Sequence, residues 1–252
     1  MSRTPNFFWF ELATSDVDAA LAFYASVVGW TSVDQNNAGP RYAVVEAAGR
    51  GVGGISALNP AAPDSKPAWS GYIYSSDVDA TARAISAAGG AVHYGPDDIP
   101  TVGRFAVVAD PQGASFKLLA PSGEDLPPLA PYTPGHVGWN ELHTTDSAAA
   151  LAFYTAQFGW SHARDHDMGA MGTYRIFAID GADGGGMMDS PLASPAFWLP
   201  YFSVGDIDAA HERVKAGGGS VMHGPAEVPG GGFIVQGSDP QGAMFALTGP
   251  RK

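Results

Sequence analysis

Apolar positions along the chain follow two alternating periods. At Phe10 and Leu12, at Leu142, and at Phe202 and Val204 they recur every second residue, the spacing of a strand with one buried face. Directly behind the first of these runs, Val17, Ala20, Leu21, Tyr24 and Val28 recur at three- to four-residue steps, which predicts a helix with one apolar stripe. Gly29 ends that helix, and Gly89-Gly90 and Gly217-Gly-Gly219 end its later equivalents. Ser15 and Thr145 are the expected N-caps, each followed by an Asp suited to the positive end of the helix dipole. Short β-type runs come next: Arg41–Glu46 and Gly54–Leu58 after the first helix, Arg104–Val108 and Ala114–Leu119 after the second. Asp110-Pro-Gln-Gly113 between the latter two recurs at 239–242 and predicts a type I turn with Pro at its second position.

The pattern repeats. Trp9-Phe-Glu-Leu-Ala-Thr-Ser-Asp16, Ala19-Ala-Leu-Ala-Phe-Tyr24 and Gly29-Trp30 return without a gap as Trp139-Asn-Glu-Leu-His-Thr-Thr-Asp146, Ala149-Ala-Leu-Ala-Phe-Tyr154 and Gly159-Trp160. Such a repeat marks duplication of a folded module. Ser76-Asp-Val-Asp79 and Gly205-Asp-Ile-Asp208 open further helices, so the finer period is about 60 residues. Four units result, near 9–59, 69–121, 139–190 and 198–249, each reading β-α-β-β-β. The fold class is therefore α+β: a first module over 1–122, a Pro-rich linker over 123–136 and a second module over 137–252. Segments 59–67 and 189–196 are shorter connectors.

Charge and composition narrow the function. The chain has 252 residues, 13 Lys and Arg against 25 Asp and Glu, and a formal charge of −12. That balance opposes nucleic acid and anionic membrane as partners. Zero cysteines exclude disulfides, thiolate metal sites and a cysteine nucleophile. The opening residues do not read as a signal peptide, and no apolar run is long enough to span a membrane. The expectation is a cytoplasmic protein, monomer or homodimer, whose partner is a small organic molecule.

Four βαβββ units, helices reading Asp-x-x-x-Ala-x-x-Phe-Tyr…Gly-Trp, and last strands introduced by Asp-Pro-Gln-Gly resemble the vicinal oxygen chelate superfamily. That group includes glyoxalase I, extradiol dioxygenases, and bleomycin- and fosfomycin-resistance proteins. The resemblance spans the whole chain and implies two tandem glyoxalase-like modules, each a curved mixed sheet around a cleft with helices outside. In metal-using members a ligand sits on the first strand seven residues before the helix-starting Asp, and another on the last strand seven residues after the turn Asp. Here those positions hold Trp9, Ser70, Trp139 and Leu199, and Lys117 and Ala246. Ser70 is the one side chain among them with a donor oxygen, and Lys117 puts a cation where the family has a carboxylate. No cofactor is expected, and a divalent metal enters only under an enzymatic alternative.

Strand alternation then assigns cleft-facing candidates. In module one they are Trp9, Glu11, Ser70, Tyr72, Tyr74 and, from the last strand, Ser115 and Lys117. In module two they are Trp139, Glu141, His143 and Leu199, then Tyr201, Ser203, Met244 and Ala246. Aromatics with a few polar groups suit an organic ligand of modest size. Glu11 and Glu141 are each either a general base against an apolar wall or a hydrogen-bonded structural carboxylate; retention in both copies favours the latter. Trp9 and Trp139 stack on a ligand or fill the emptied metal position. His143, which replaces Ala13 of the first copy, is with Glu141 the catalytic candidate, set against a structural hydrogen-bonded histidine. Lys117 holds an anionic ligand or pairs with Glu11, and the ion pair is favoured. Arg104, without a counterpart in module two, is a candidate rim contact for an acidic ligand. His162 and His166 belong to a loop with some metal-binding character. Gly184-Gly-Gly186 matches Gly53-Gly54 and reads as close strand packing; Gly230-Gly-Gly232 is a candidate flap. The leading reading is a metal-free binder of a partly aromatic molecule. The alternatives are a glyoxalase-like lyase, isomerase or dioxygenase using Glu141 and His143, and a regulatory interaction module.

Overall fold

A computed structural model of the chain describes residues 4–35, 41–61, 64–123, 127, 129–190 and 194–252. Part of the linker expected over 123–136 (124–126 and 128) and parts of both connectors (62–63 and 191–193) lie outside the described residues. The first quarter comprises β1 (Phe7–Thr14), α1 (Val17–Val27), β2 (Thr31–Gln35), β3 (Tyr42–Ala47) and β4 (Arg50–Ala57). The second comprises β5 (Ala68–Tyr74), α2 (Val78–Ala87), β6 (Ala91–Ile99), β7 (Gly103–Ala109) and β8 (Ser115–Pro121). In the third are β9 (Val137–Thr144), α3 (Ser147–Phe158), β10 (Ser161–Asp167), β11 (Thr173–Ile179) and β12 (Ala182–Asp189). The fourth holds β13 (Phe197–Ser203), α4 (Ile207–Ala216), β14 (Ser220–Val228), β15 (Gly232–Ser238) and β16 (Met244–Gly249). Each quarter is a βαβββ unit, as its hydrophobic periods predict.

Two eight-stranded mixed sheets form, with orders β2-β3-β4-β1-β5-β8-β7-β6 and β10-β11-β12-β9-β13-β16-β15-β14. In every quarter the first strand pairs parallel with the last, as β12 does with β9 and β5 with β8; the helix supplies the crossover that a parallel pair requires. Within each quarter the last three strands pair as antiparallel hairpins. The α+β class and the tandem architecture hold.

Helix starts differ in one detail from the sequence reading. The cap is the aspartate, not the preceding Ser15 or Thr145. Asp16, Asp77 and Asp146 adopt extended backbone and accept from the amides of Ala19, Ala80 and Ala149 at 2.9–3.0 Å. An aspartate in that position satisfies an orphan amide and meets the helix dipole with one group. The buried stripe of α1 is Val17, Ala20, Phe23, Tyr24 and Val27, so Phe23 and Val27 replace Leu21 and Val28 of the predicted face. A second correction concerns His162 and His166. They lie on β10, an edge strand exposed at every position, where its row of charges guards against further strand pairing.

Contacts gather the chain into two compact units that draw on alternate quarters. One takes the described residues of 1–8, 70–128 and 140–198; the other takes those of 9–69, 129–139 and 199–252. In the second unit, α1 packs near α4. Tyr24 is fully buried among Trp30, Trp69, Phe202 and Phe245, with ring centroids 5.2–6.2 Å away. Its hydroxyl donates to Asp239 Oδ2 at 3.2 Å and accepts from Trp69 Nε1 at 2.8 Å. The first unit repeats this with α3: Tyr154 donates to Asp110 at 3.2 Å and accepts from Trp198 at 2.8 Å, among Trp160, Phe158 and Phe116. Each aspartate also closes its Asp-Pro-Gln-Gly turn. Asp110 Oδ1 accepts from the Gln112 and Ala114 amides, and Gly113 N–H donates to Asp110 O. Burial lifts both aspartates above the ordinary carboxylate range and both tyrosines well above the ordinary phenol range. The Phe-Tyr of the repeat helix and the Asp of the repeat turn are thus one locking device. Residues 129–139 pack as part of their unit, with Trp30 Nε1 donating to Gly135 O at 2.7 Å.

Candidate functional site

On β9, Leu142 is fully buried, so its neighbours Glu141 and His143 point to the opposite face. On β11 the same alternation sends Phe177 toward Trp160, onto which it stacks at 4.5 Å, and Trp160 stacks on Tyr154 of α3. Tyr174 and Ile176 therefore face away from the helix, on the side of Glu141. There Tyr174 donates its hydroxyl to Glu141 Oε2 at 2.8 Å, and His143 Nε2 lies 2.8 Å from Glu141 Oε1. Phe197, at the start of β13, stacks on the His143 ring with centroids 4.7 Å apart and planes 6° apart. The side chain of Glu141 is 7% exposed and that of His143 14%. The partners of this buried carboxylate include Tyr174 on one oxygen and His143 on the other, as a buried polar group requires.

Glycine makes the tyrosine contact possible. Gly186 pairs across from both Glu141 on β9 and Ile176 on β11, and Tyr174 lies across it: a Cβ there would sit 2.2 Å from ring atoms Cε1 and Cζ. The first copy builds the same arrangement. Gly54 faces Glu11, a Cβ on it would lie 2.0 Å from Tyr42 Oη, and Tyr42 hydrogen-bonds Glu11, burial and that carboxylate together raising its pKa. Trp9 Nε1 donates to Tyr42 at 3.3 Å, and its ring lies over Gly51. Gly53 and Gly185 come within 2.3 Å and 2.1 Å, at their virtual Cβ, of the Phe10 and Asn140 carbonyls. The glycine clusters are close-packing devices, as read from the sequence.

Beside the shared Glu–Tyr pair the two copies differ at two facing positions. Where the second has His143 and Phe197, the first has Ala13 and Ala68. Fold maintenance does not explain this, since the duplicated framework stands without either ring in the first copy.

The other candidates fall into separate places. Lys117 Nζ donates to Tyr72 Oη at 3.3 Å and sits 4.9 Å from the centre of its ring. Ser70, Tyr74 and Ser115 lie on the same two strands, β5 and β8. Tyr201 accepts from Gln236 Nε2 at 2.6 Å. The Ser203 hydroxyl is buried without a hydrogen-bond partner among the described residues. Trp139 is half-buried on β9, Leu199 and Ala246 are buried, and Met244 is exposed at the start of β16. Arg104 is engaged by Asp79 of α2 and by Asp98 of β6, and holds the Asp79 carboxyl below its ordinary range. Gly230 and Gly231 form the tight turn joining β14 to β15. An open groove of about 680 Å³ between α3 and β10 is lined by Leu151, Thr155, Asp165 and Arg175. Its cation is bound by Asp165 and Ser147, and it shares no side chain with the Glu141 cluster.

A divalent ion held as in metal-dependent oxygen-chelate proteins does not fit these donors. Among the described residues no three His, Cys, Asp or Glu side chains gather as a metal site. Glu141 and His143 offer two donors, and those already bond each other. His162 bonds Asp165 at 2.8 Å in an exposed pair. Sequence reasoning missed Tyr42, Tyr174 and Phe197. The signals were there: a tyrosine opening the third strand of both copies, and a Phe opposing an Ala at matched positions.

A model of the Glyoxalase/Bleomycin resistance protein/Dioxygenase superfamily matches residues 6–118 and again 133–247. The chain is 36% identical over 252 residues to "Putative glyoxylase CFP32" of Mycobacterium tuberculosis, covering 98% of this chain and 95% of that one. It is 31% identical over 259 residues to "Anthracycline biosynthesis protein DnrV" of Streptomyces peucetius, covering 95% and 91%. Among solved structures, the 2,3-dioxygenase LapB from Pseudomonas sp. KL28 superposes with a TM-score of 0.67 at 12% identity, covering 100% and 94%. The Mn(II)-bound glyoxalase from Novosphingobium aromaticivorans gives 0.64 at 19%, covering 100% and 84%. With both halves matched by one family model and relatives aligned over nearly its full length, the chain belongs to the glyoxalase/bleomycin resistance protein/dioxygenase superfamily.

Proposed function

We propose that the protein binds a small, partly aromatic organic molecule at the Glu141–His143–Phe197 cluster of its second module, without the divalent metal used by other superfamily members. The observation that carries this reading is the paired appearance of His143 and Phe197 as a stacked polar–aromatic surface where the first copy has two alanines. Indole rings, a serine, a lysine and alkyl side chains at the family's ligand positions support recognition by stacking and hydrogen bonding instead of chelation. Two streptomycete relatives named for anthracycline biosynthesis support an aromatic ligand, because anthracyclines are fused planar ring systems. The charge of −12 supports a small-molecule partner over nucleic acid or an anionic membrane. Among the described residues no helix is long and apolar enough to cross a membrane. We place the protein in the cytoplasm, as a monomer or homodimer.

The test is elemental analysis of purified protein together with thermal-shift screening of aromatic compounds, with and without added divalent ions. Metal-free protein stabilised by an aromatic compound is the expected result, since a ligand of the native state raises the melting point. About one tightly held transition metal per chain would refute it. The 2.8 Å contact between Glu141 and His143 favours one second reading, a glyoxalase-like lyase, isomerase or dioxygenase. That reading requires Glu141→Ala and His143→Ala each to abolish turnover in a folded protein.

A further inference from the structure

We propose that His143 accepts a proton from its ligand through Nδ1, so that the site selects flat conjugated molecules carrying an acidic phenolic or enolic hydroxyl; this rests on the aromatic-binding reading above. The argument starts from the tautomer. Tyr174 O–H donates to Glu141 Oε2, and an ionised carboxylate only accepts, so Glu141 Oε1 is met by a proton on His143 Nε2. A neutral imidazole with its proton on Nε2 carries its lone pair on Nδ1. No other hydrogen bond ties that nitrogen among the described residues.

Three features make Nδ1 a proton acceptor with a defined direction. The imidazolium formed on protonation is stabilised by the Glu141 carboxylate, which gains a charged partner in place of a neutral one. The ring is held in position by Phe197, 4.7 Å away and nearly parallel. The lone pair lies in the ring plane, so a donor must approach edge-on beside the Phe197 surface. A phenol meets that demand, because conjugation keeps its O–H in the plane of its own ring. The transfer balances simply: the ligand's O–H bond breaks, an N–H bond forms on Nδ1, and the electron pair stays on the ligand oxygen as a phenolate or enolate. The titratable groups bonded into the cluster include Glu141 and Tyr174. Phe197 on β13 and Met188, which faces His143 on β12, carry no charge. The first copy keeps the Glu11–Tyr42 pair and has Ala13 in place of the acceptor.

The experiment uses metal-stripped full-length protein and two dyes, alizarin and its dimethyl ether. They share the same flat ring system, and alizarin alone has hydroxyl protons whose loss changes its visible spectrum. Bound to the wild type, alizarin is expected to ionise at a pH about one unit or more below that of free dye, roughly a tenfold preference for the phenolate. His143→Asn is expected to weaken alizarin more than the dimethyl ether and to return the ionisation midpoint of the alizarin it binds to that of free dye or above. Glu141→Gln is expected to give an intermediate midpoint. Near-ultraviolet circular dichroism establishes that both variants are folded, and His143→Gln serves if the Asn variant is not. Alizarin that stays protonated on the wild type, or an ionisation shift that survives in His143→Asn, overturns the inference while ether binding leaves the aromatic reading standing. Failure of both dyes to bind overturns both.

Discussion

Tyr42 and Tyr174 each cross a glycine to reach a carboxylate on the next strand but one, and this geometry sets the tolerance of single residues. A methyl group at Gly186 would fall 2.2 Å from the Tyr174 ring, so the ring must swing away and leave Glu141 with one donor fewer. Gly186→Ala is expected to destabilise the protein by about 1–3 kcal/mol, the cost of an under-satisfied buried carboxylate. Combined with Tyr174→Ala, its effect should fall short of additivity by about 1 kcal/mol. Denaturant unfolding of the four proteins checks this, and strict additivity would contradict the described contact. The glycines were legible as close-packing positions from sequence alone, because the cluster recurs in both copies. What they accommodate was not. Strand alternation tells which face a side chain takes, but not that a tyrosine leans across its neighbour to a strand beyond it, and for that reason Tyr174 escaped while Glu141 and His143 did not.

At the scale of elements, the helix and the turn are joined by one buried aspartate. Asp239 closes its turn through the Gln241 and Ala243 amides and receives Tyr24 of α1. Burial raises its pKa above 3.8 in the folded protein, so the fold favours the protonated form. The contribution to stability is therefore fully present below the unfolded value and is lost as pH rises through the raised one. Relative to Asp239→Asn, the wild type should gain stability as the solution is acidified from neutrality toward pH 3.8. Urea unfolding at three or more pH values measures the trend, and a loss on acidification would contradict it. Helix and strand periods revealed every βαβββ unit, and the Asp-Pro-Gln-Gly turns stood out as local chemistry. Their service as anchors for Tyr24 and Tyr154 was hidden, since those partners lie 215 and 44 residues away. The caps slipped by one residue because Ser15-Asp16 and Thr145-Asp146 each offer two adjacent cap formers, and the aspartate adds dipole compensation to the same hydrogen bond.

For the whole molecule, the sheets follow the duplicated halves of the sequence whereas the compact units draw on alternate quarters. A fragment of residues 1–122 would keep Tyr24 but lack Asp239, and would keep Asp110 but lack Tyr154. Because the two locks are equivalent, a pair of such fragments can complete both, with Asp110 of one copy serving Tyr24 of the other. The isolated fragment is expected to be a dimer when folded and to lose its structure on dilution, measured by sedimentation and circular dichroism together. A folded monomer would show that the half needs no partner quarter.

The same interleaving bears on how the chain matures on the ribosome. A nascent polypeptide that has just cleared its first hundred or so residues holds only one side of each aromatic core, and the lock on Tyr24 waits for a residue 215 positions downstream. Early domain-by-domain completion is unavailable to it. The aromatic core around Tyr24 is completed only when the last quarter has emerged.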